Sequence, residues 1–234
     1  MSAVRATQPL TAPVEDYLKV IFELESAGEP AGTNEIAAEL GVAPASVSGM
    51  VRRLVGQRLI THERYRGVRL TRDGRRAALR TIRRHRVIEA YLTQALNYPW
   101  DRVHDEAERL EHAASDELID RMAAAIGEPT TDPHGAPIPT REGTLHERAL
   151  TSLDQIAEGK RVRVERVGDR DPGQLRYLAE LGIIPGTRVE VASRAPYDGP
   201  IALRVGNERA LRSIGPALAR QIFVSGANSA NSPR

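Results

Sequence analysis

The sequence predicts a mainly α-helical chain that begins with a winged helix-turn-helix and ends in a small β-barrel. Three observations carry that prediction. Apolar residues recur at helical spacing up to residue 126. A proline-crowded stretch, 127–144, then breaks the pattern and reads as a linker by composition. Beyond it, apolar and polar residues alternate in short runs, which is the period of a half-exposed strand.

Residues 14–24 follow Pro13 and set Val14, Tyr17, Leu18, Ile21 and Phe22 on one helical face, ended by Gly28 and Pro30. Thr33 is suited to cap a second helix holding Ile36, Ala37 and Leu40, which Gly41 stops. Pro44 opens a third, with Val47, Met50, Val51 and Leu54 facing inward. Leu59-Ile60-Thr61 and Val68-Arg69-Leu70 read as short strands around a turn at Tyr65-Arg66-Gly67. Helix, helix, turn, helix, hairpin is the order of a winged helix-turn-helix. A long helix is expected over 72–96, from Ala77, Ile82, Val87, Ile88, Tyr91, Leu92 and Leu96. Two more are expected over 101–114 and 116–126. Strands are expected at 161–164, 187–191 and 201–205, with one helix over 173–180. The domains are expected at 1–73, 74–144 and 145–226, followed by a disordered Ser/Asn-rich tail at 227–234.

Composition narrows the function. Aromatics are only 4% of the 234 residues, so the core must be built from Leu, Ile, Val and Ala. There is no cysteine, which excludes disulfides, thiolate metal sites and cysteine nucleophiles together. No apolar run is long enough to span a membrane, and the first residues lack the apolar middle of a secretory signal. A cytoplasmic location is expected. The net charge of +2 hides an asymmetry. Residues 1–86 carry 15 Lys/Arg against 9 Asp/Glu, whereas 87–150 carry 5 against 13. A basic head beside an acidic, His-bearing block suggests an anionic partner for the first and a cation for the second.

The head has the residues to read DNA. The second helix of a helix-turn-helix enters the major groove with its N-terminal residues nearest the base edges. Here those are Pro44, Ala45, Ser46, Ser48 and Gly49, small enough for close approach, with Arg52 and Arg53 continuing the outward face. Arg64 and Arg66 sit at the wing tip, within reach of phosphate. A solvated basic face on a protein-interaction module is the blander reading. Coincidence of the charge with the helix-turn-helix favours DNA.

The acidic block has the residues to hold metal. At about 100° per residue, Glu108, Glu111 and His112 fall within about 80° of His104, on one side of a helix. His85 and Glu89 share a face at i,i+4. Oxygen and imidazole donors without thiolate suit Mn(II) or Fe(II). A metal-dependent hydrolase is the rival reading. The run His104 to His112 is neither H-E-x-x-H nor H-x-x-E-H, however, and the chain has neither a phosphate loop nor a G-x-S-x-G elbow.

Taken together, the helix-turn-helix, His85-x-x-x-Glu89, the His104-to-His112 run, the linker with Pro137-Ile138-Pro139 and the terminal barrel resemble the diphtheria toxin repressor family of metal-dependent transcriptional regulators. The resemblance implies a homodimer that binds a palindromic operator when loaded with metal. It implies a helical dimerisation domain and a Src-homology-3-like domain at the C-terminus; the apolar faces of about 87–96 and 116–126, with Leu92, Leu96, Leu118, Ile119 and Met122, are the interface candidates, an intramolecular core being the alternative. The resemblance implies a primary site at Asp16, Glu108, Glu111 and His112. Asp16 and Glu108 stand where iron-responsive members have Met and Cys, so the chain is similar to the manganese-responsive branch. An ancillary site is implied at His85, Glu89 and His104, completed by Asp171 and Gln174. Lys19 stands where some manganese regulators carry a second acid, which argues against a bridged metal pair. A chain without metal is expected to be loosened by mutual repulsion of its carboxylates.

Overall fold

The computed structural model describes residues 10–25, 28–63, 66–146 and 148–226. These fall into two compact units. One comprises residues up to His85 together with Glu111–Ala114 and Pro139–Leu145; the other comprises Arg86–Leu110, Ser115–Ile138 and the remainder from His146.

In the first unit, α1 (Ala12–Glu25), α2 (Thr33–Leu40) and α3 (Pro44–Gly56) precede a hairpin of β1 (Ile60–Glu63) and β2 (Gly67–Leu70). The winged helix-turn-helix expected from the sequence is therefore present. Its core is Val14, Leu18, Ile21, Ile36, Val47, Leu54 and Val68 with the residues around them. The cap of α2 is not Thr33, which is already helical, but Gly32. The Gly32 N–H donates to the Glu35 carboxylate at 2.9 Å, doing part of what a capping side chain does. Gly41, at φ 62°, turns the chain out of α2 in the left-handed region. The long helix α4 (Arg72–Leu96) starts at Thr71, whose hydroxyl accepts from Gly74 N–H at 3.1 Å. Gly74 is needed there: a Cβ would lie 1.8 Å from Leu59 O.

In the second unit, α5 (Val103–Leu110) is shorter than expected; Glu111–Ala113, which belong to the first unit, form a turn rather than its last residues. α6 (Asp116–Ala125) is capped by Ser115, whose hydroxyl accepts from Leu118 N–H. Of the expected interface residues, Leu92 and Ile119 are buried within the chain, whereas Leu96 and Leu118 are exposed.

The segment read as a linker is ordered on its own terms. Asp132 Oδ1 accepts from His134 N–H and Ala136 N–H, both at 2.9 Å, and both Asp132 and His134 are buried. Gly135, at φ +90°, sits where a Cβ would be 1.9 Å from Glu165 O. Composition marks turn-forming residues; it does not distinguish a flexible linker from a loop whose side chains satisfy its own backbone.

The C-terminal strands β3 (Thr151–Ser152), β4 (Arg161–Val167), β5 (Arg188–Arg194), β6 (Ile201–Val205), β7 (Leu211–Ile214) and β8 (Ile222–Ser225) form one antiparallel sheet in the order β3-β8-β4-β5-β6-β7. α7 (Pro172–Glu180) and α8 (Pro216–Ala219) lie between them in sequence. The expected barrel is corrected here to an open six-stranded sheet, since among the described residues β3 and β7 are not hydrogen-bonded to each other. Alternation still fills its core. Val162, Val164, Val189, Val191, Ile201, Leu203 and Val205 point inward, and bulges in β4 and β5 bend the sheet over them. Among the described residues, no helix is long and apolar enough to cross a membrane.

Candidate metal centres

A first centre lies wholly in the first unit. Ligand atoms of Asp16, Glu111 and His112 all fall within 4.8 Å of one another. Asp16 comes from the first turns of α1. Glu111 and His112 come from the turn at 111–113, so it is the end of α5, not a continuous helical face, that delivers them. His112 Nε2 is 2.7 Å from Asp16 Oδ1 and 3.5 Å from Glu111 Oε1. Its Nδ1 is 2.7 Å from Glu15 Oε2. Burial alone would lower the His112 pKa; the hydrogen bond to Glu15 and the charges of Asp16 and Glu111 outweigh it and hold the ring above its ordinary value.

The same centre carries its own counter-charges and hydrogen-bond partners. Lys19, nearly buried, donates to both oxygens of Glu111, at 3.2 and 3.1 Å. His85 Nδ1 lies 2.5 Å from Glu111 Oε2, so His85, expected at the ancillary site, turns this nitrogen to a primary ligand. Arg84 reaches Glu15 at 3.3 Å. The repulsion expected among the carboxylates without metal is therefore largely offset. Glu108 lies in the other unit, on α5, with its carboxylate 3.8 Å from His104 Nε2.

A second cluster lies wholly in the second unit, where ligand atoms of Glu89, His134 and Asp169 fall within 4.8 Å of one another. His134 Nε2 faces Trp100 O at 2.8 Å. A carbonyl only accepts, so Nε2 carries a proton, and in the neutral ring Nδ1 keeps a lone pair. That lone pair sits 3.8 Å from Glu89 Oε1 and has no hydrogen-bond partner. A backbone carbonyl holding the far nitrogen is how a ligating imidazole is usually oriented. Asp132 Oδ2 is likewise buried without a hydrogen bond, 3.7 Å from Arg86 Nε. Burial, then the charge of Glu89, pushes the Asp132 carboxyl up to about 6. His104 Nδ1 is 3.3 Å from Glu89 Oε1.

Asp171 and Gln174, expected at the ancillary site, are bonded to each other at the start of α7. Asp171 caps α7, accepting from Gly173 N–H at 2.8 Å and Gln174 N–H at 3.2 Å, and its other oxygen accepts from the Gln174 amide at 3.0 Å. These backbone bonds hold its carboxyl below the usual range. Sequence reading missed Glu15, Asp132, His134 and Asp169. Asp132-Pro133-His134-Gly135 was the available signal: an acid and an imidazole two residues apart are unusual cargo for a linker. Both clusters fit a hard divalent cation by donor chemistry, being oxygen and imidazole throughout. In the second, the buried lone pair and carboxylate oxygen are independent support.

Most of the residues expected to read DNA lie on the exposed side of α3. Pro44, Ala45, Ser46, Ser48, Gly49, Arg52 and Arg53 are exposed on α3, while Val47, Val51 and Leu54 face the core. A Cβ on Gly49 would meet nothing within 4 Å, so that surface is open. Arg66 is exposed on the wing and pairs with Glu63 at 3.3 Å. Arg64 lies outside the described residues, as does the 227–234 tail.

Comparison with known proteins follows this anatomy. Residues 9–68 match the family described as the iron dependent repressor N-terminal DNA binding domain. Residues 71–140 match the iron dependent repressor metal binding and dimerisation domain, and 151–226 match the FeoA domain. The chain is 36% identical over 202 residues to the diphtheria toxin repressor of Corynebacterium jeikeium, covering 85% of this chain and 84% of the relative. It is 31% identical over 212 residues to the iron-dependent repressor IdeR of Mycobacterium leprae, covering 85% and 91%. Among solved structures, a manganese-dependent transcriptional repressor in complex with manganese superposes with a TM-score of 0.83 at 39% identity, over 90% of this chain and 98% of that one. The manganese regulator SloR gives 0.75 at 30%, over 92% and 99%.

Proposed function

This chain belongs to the iron-dependent repressor family, and from that premise we propose that it is a transcriptional repressor of metal-ion homeostasis genes, switched on to bind a palindromic operator by Mn(II), with Fe(II) as the alternative. It acts in the cytoplasm as a homodimer, and the exposed Leu96 and Leu118 belong to the face that a second copy covers. It is a regulator rather than a metal-dependent hydrolase, in keeping with relatives named as repressors.

The observation that carries this reading is the meeting of Asp16, on the first helix of the reading head, with His112, 96 positions further along. When bound, Mn(II) or Fe(II) supplies two positive charges to oxygen and imidazole donors. Asp16 and Glu111 hold carboxylate oxygens for it. His112 offers Nε2 once that ring releases a proton, so acidity opposes loading. α1 and the 111–113 turn, sharing those donors, are then held to one spacing. α1 packs on α2 and α2 on α3, so order gained at Asp16 reaches the recognition helix. Two such helices in a dimer must match major grooves about 34–36 Å apart. Donors held together in this way would favour the binding-competent state to the extent that they bind the ion better in it than in the open one.

A second centre is proposed at Glu89, His134 and Asp169, with Asp132 alongside and His104 close to Glu89. It departs from the ancillary set implied by resemblance, in which His85, Asp171 and Gln174 take part. Glu108 is retained as a candidate beside His104.

Gel-shift titration tests the main reading. A palindromic operator duplex should be retarded with Mn(II) and released by chelator, and Asp16→Ala should weaken the metal-dependent complex on the order of 100-fold. Equal retardation with and without metal would remove the switch.

A further inference from the structure

We infer that Lys19 is a tethered cation that occupies Glu111 whenever the divalent ion does not, and so limits the first centre to one ion held more weakly than its ligands alone would hold it. The inference rests on the metal reading of Asp16, Glu111 and His112, and deepens it.

Three observations point to this role. The Lys19 ammonium contacts both oxygens of Glu111, at 3.2 and 3.1 Å, so the pairing is centred on the carboxylate. The Glu111 side chain is fully buried and that of Lys19 is 11% exposed, so water screens the pair weakly. Glu111 is also the acid that lies 3.5 Å from His112 Nε2, and hence inside the group shared with Asp16. The positive end of Lys19 therefore sits on a donor that the divalent ion needs.

Two consequences follow from charge. Without the ion, Lys19 keeps Glu111 from being a buried uncompensated anion, so the centre stays assembled. With the ion, the ammonium must share or surrender Glu111, and its charge opposes a second positive centre nearby. A second ion bridging through Glu111 would face both effects at once. Removing the charge of Lys19 should therefore move two readouts in opposite directions: metal-free stability falls and metal affinity rises. A side chain with a merely structural role would lower both.

The test uses the full chain and Mn(II) alone, with free ion followed by electron paramagnetic resonance and metal-free melting followed by circular dichroism. Asp16→Asn identifies which bound ion belongs to the first centre. Lys19→Met should bind that ion at least about tenfold more tightly than the unaltered protein, while melting at a lower temperature without metal. Lys19→Arg, which keeps the charge, should stay close to the unaltered protein in both. If Lys19→Met does not fold, Lys19→Gln set against Lys19→Arg makes the same comparison. Unchanged or weaker affinity on removing the charge overturns the inference, as would two magnetically coupled Mn(II) ions at the first centre of the unaltered protein. If Asp16→Asn loses no bound ion at all, the metal reading of this centre fails instead.

Discussion

The two clusters of acids and imidazoles differ in what balances their charge. The first gathers Asp16, Glu15, Glu111 and His112, and brings Lys19, Arg84 and His85 to meet them. The second gathers Glu89, Asp132, His134 and Asp169, with Arg86 3.7 Å from Asp132 and the His104 ring 3.3 Å from Glu89. One centre is paired before any ion arrives. The other keeps a bare imidazole nitrogen and a carboxylate oxygen buried without a hydrogen bond. Ligand lists alone would make the two equivalent; their counter-charges predict opposite behaviour in the metal-free protein.

Glu111→Gln should have the largest effect. It removes the anion from beneath a nearly buried ammonium, and breaking a buried pair on one side costs about 3 kcal/mol or more. Chemical denaturation of the metal-free chain would measure it. A midpoint equal to that of the unaltered protein would mean that Lys19 and Glu111 are already solvated, and the contrast between the clusters would disappear.

Asp132→Asn should act in the opposite direction. Its carboxyl is pushed up to about 6 by burial and by Glu89, so near pH 7 it is charged against its surroundings. A raised acid contributes stability that is complete below its ordinary value of 3.8 and is lost as pH rises through about 6. The amide keeps an oxygen for the His134 and Ala136 N–H groups while removing that charge. Metal-free stability at pH 7 should rise by on the order of 2 kcal/mol, and its decline between about pH 4 and 6 should flatten. Mn(II) should then stabilise the variant less than it stabilises the unaltered chain. Destabilisation at pH 7 would show that Arg86 already satisfies the carboxylate.

The same contrast marks what the sequence could and could not reveal. The helix-turn-helix and the long helix over 72–96 were legible because each has a face that repeats the helical period against a core. Asp16 and His112 were legible as donors, but not the meeting of Glu111 with Lys19 and His85, which depends on where α5 stops. Glu111 belongs by spacing to a helical face and by structure to the turn that follows it. Asp132 and His134 were hidden by the prolines and glycine around them, because composition reports turn chemistry and not burial. The open sheet was read as a barrel because alternation predicts strands and their inner face, whereas closure depends on the pairing of the end strands, about which the local pattern says nothing.

The smallest expected effect bears on the boundary of the second cluster. Resemblance makes Asp171 a ligand, whereas the structure makes it the cap of α7, with Gly173 and Gln174 N–H groups on one oxygen. Asn caps a helix about as well as Asp does but is a much poorer partner for a divalent ion. Asp171→Asn should therefore leave Mn(II) stoichiometry and affinity unchanged and keep the Gly173 and Gln174 amides slow to exchange with deuterium. Asp171→Ala should speed exchange at those two amides, again with no change in bound ion. Its carboxyl is held below the usual range by the same two amides, so the cap contributes above the ordinary acid range and is lost as pH falls through the lowered value. Loss of one Mn(II) from Asp171→Asn would return this residue to the metal, and with it the Gln174 amide, because the two side chains are already joined at 3.0 Å.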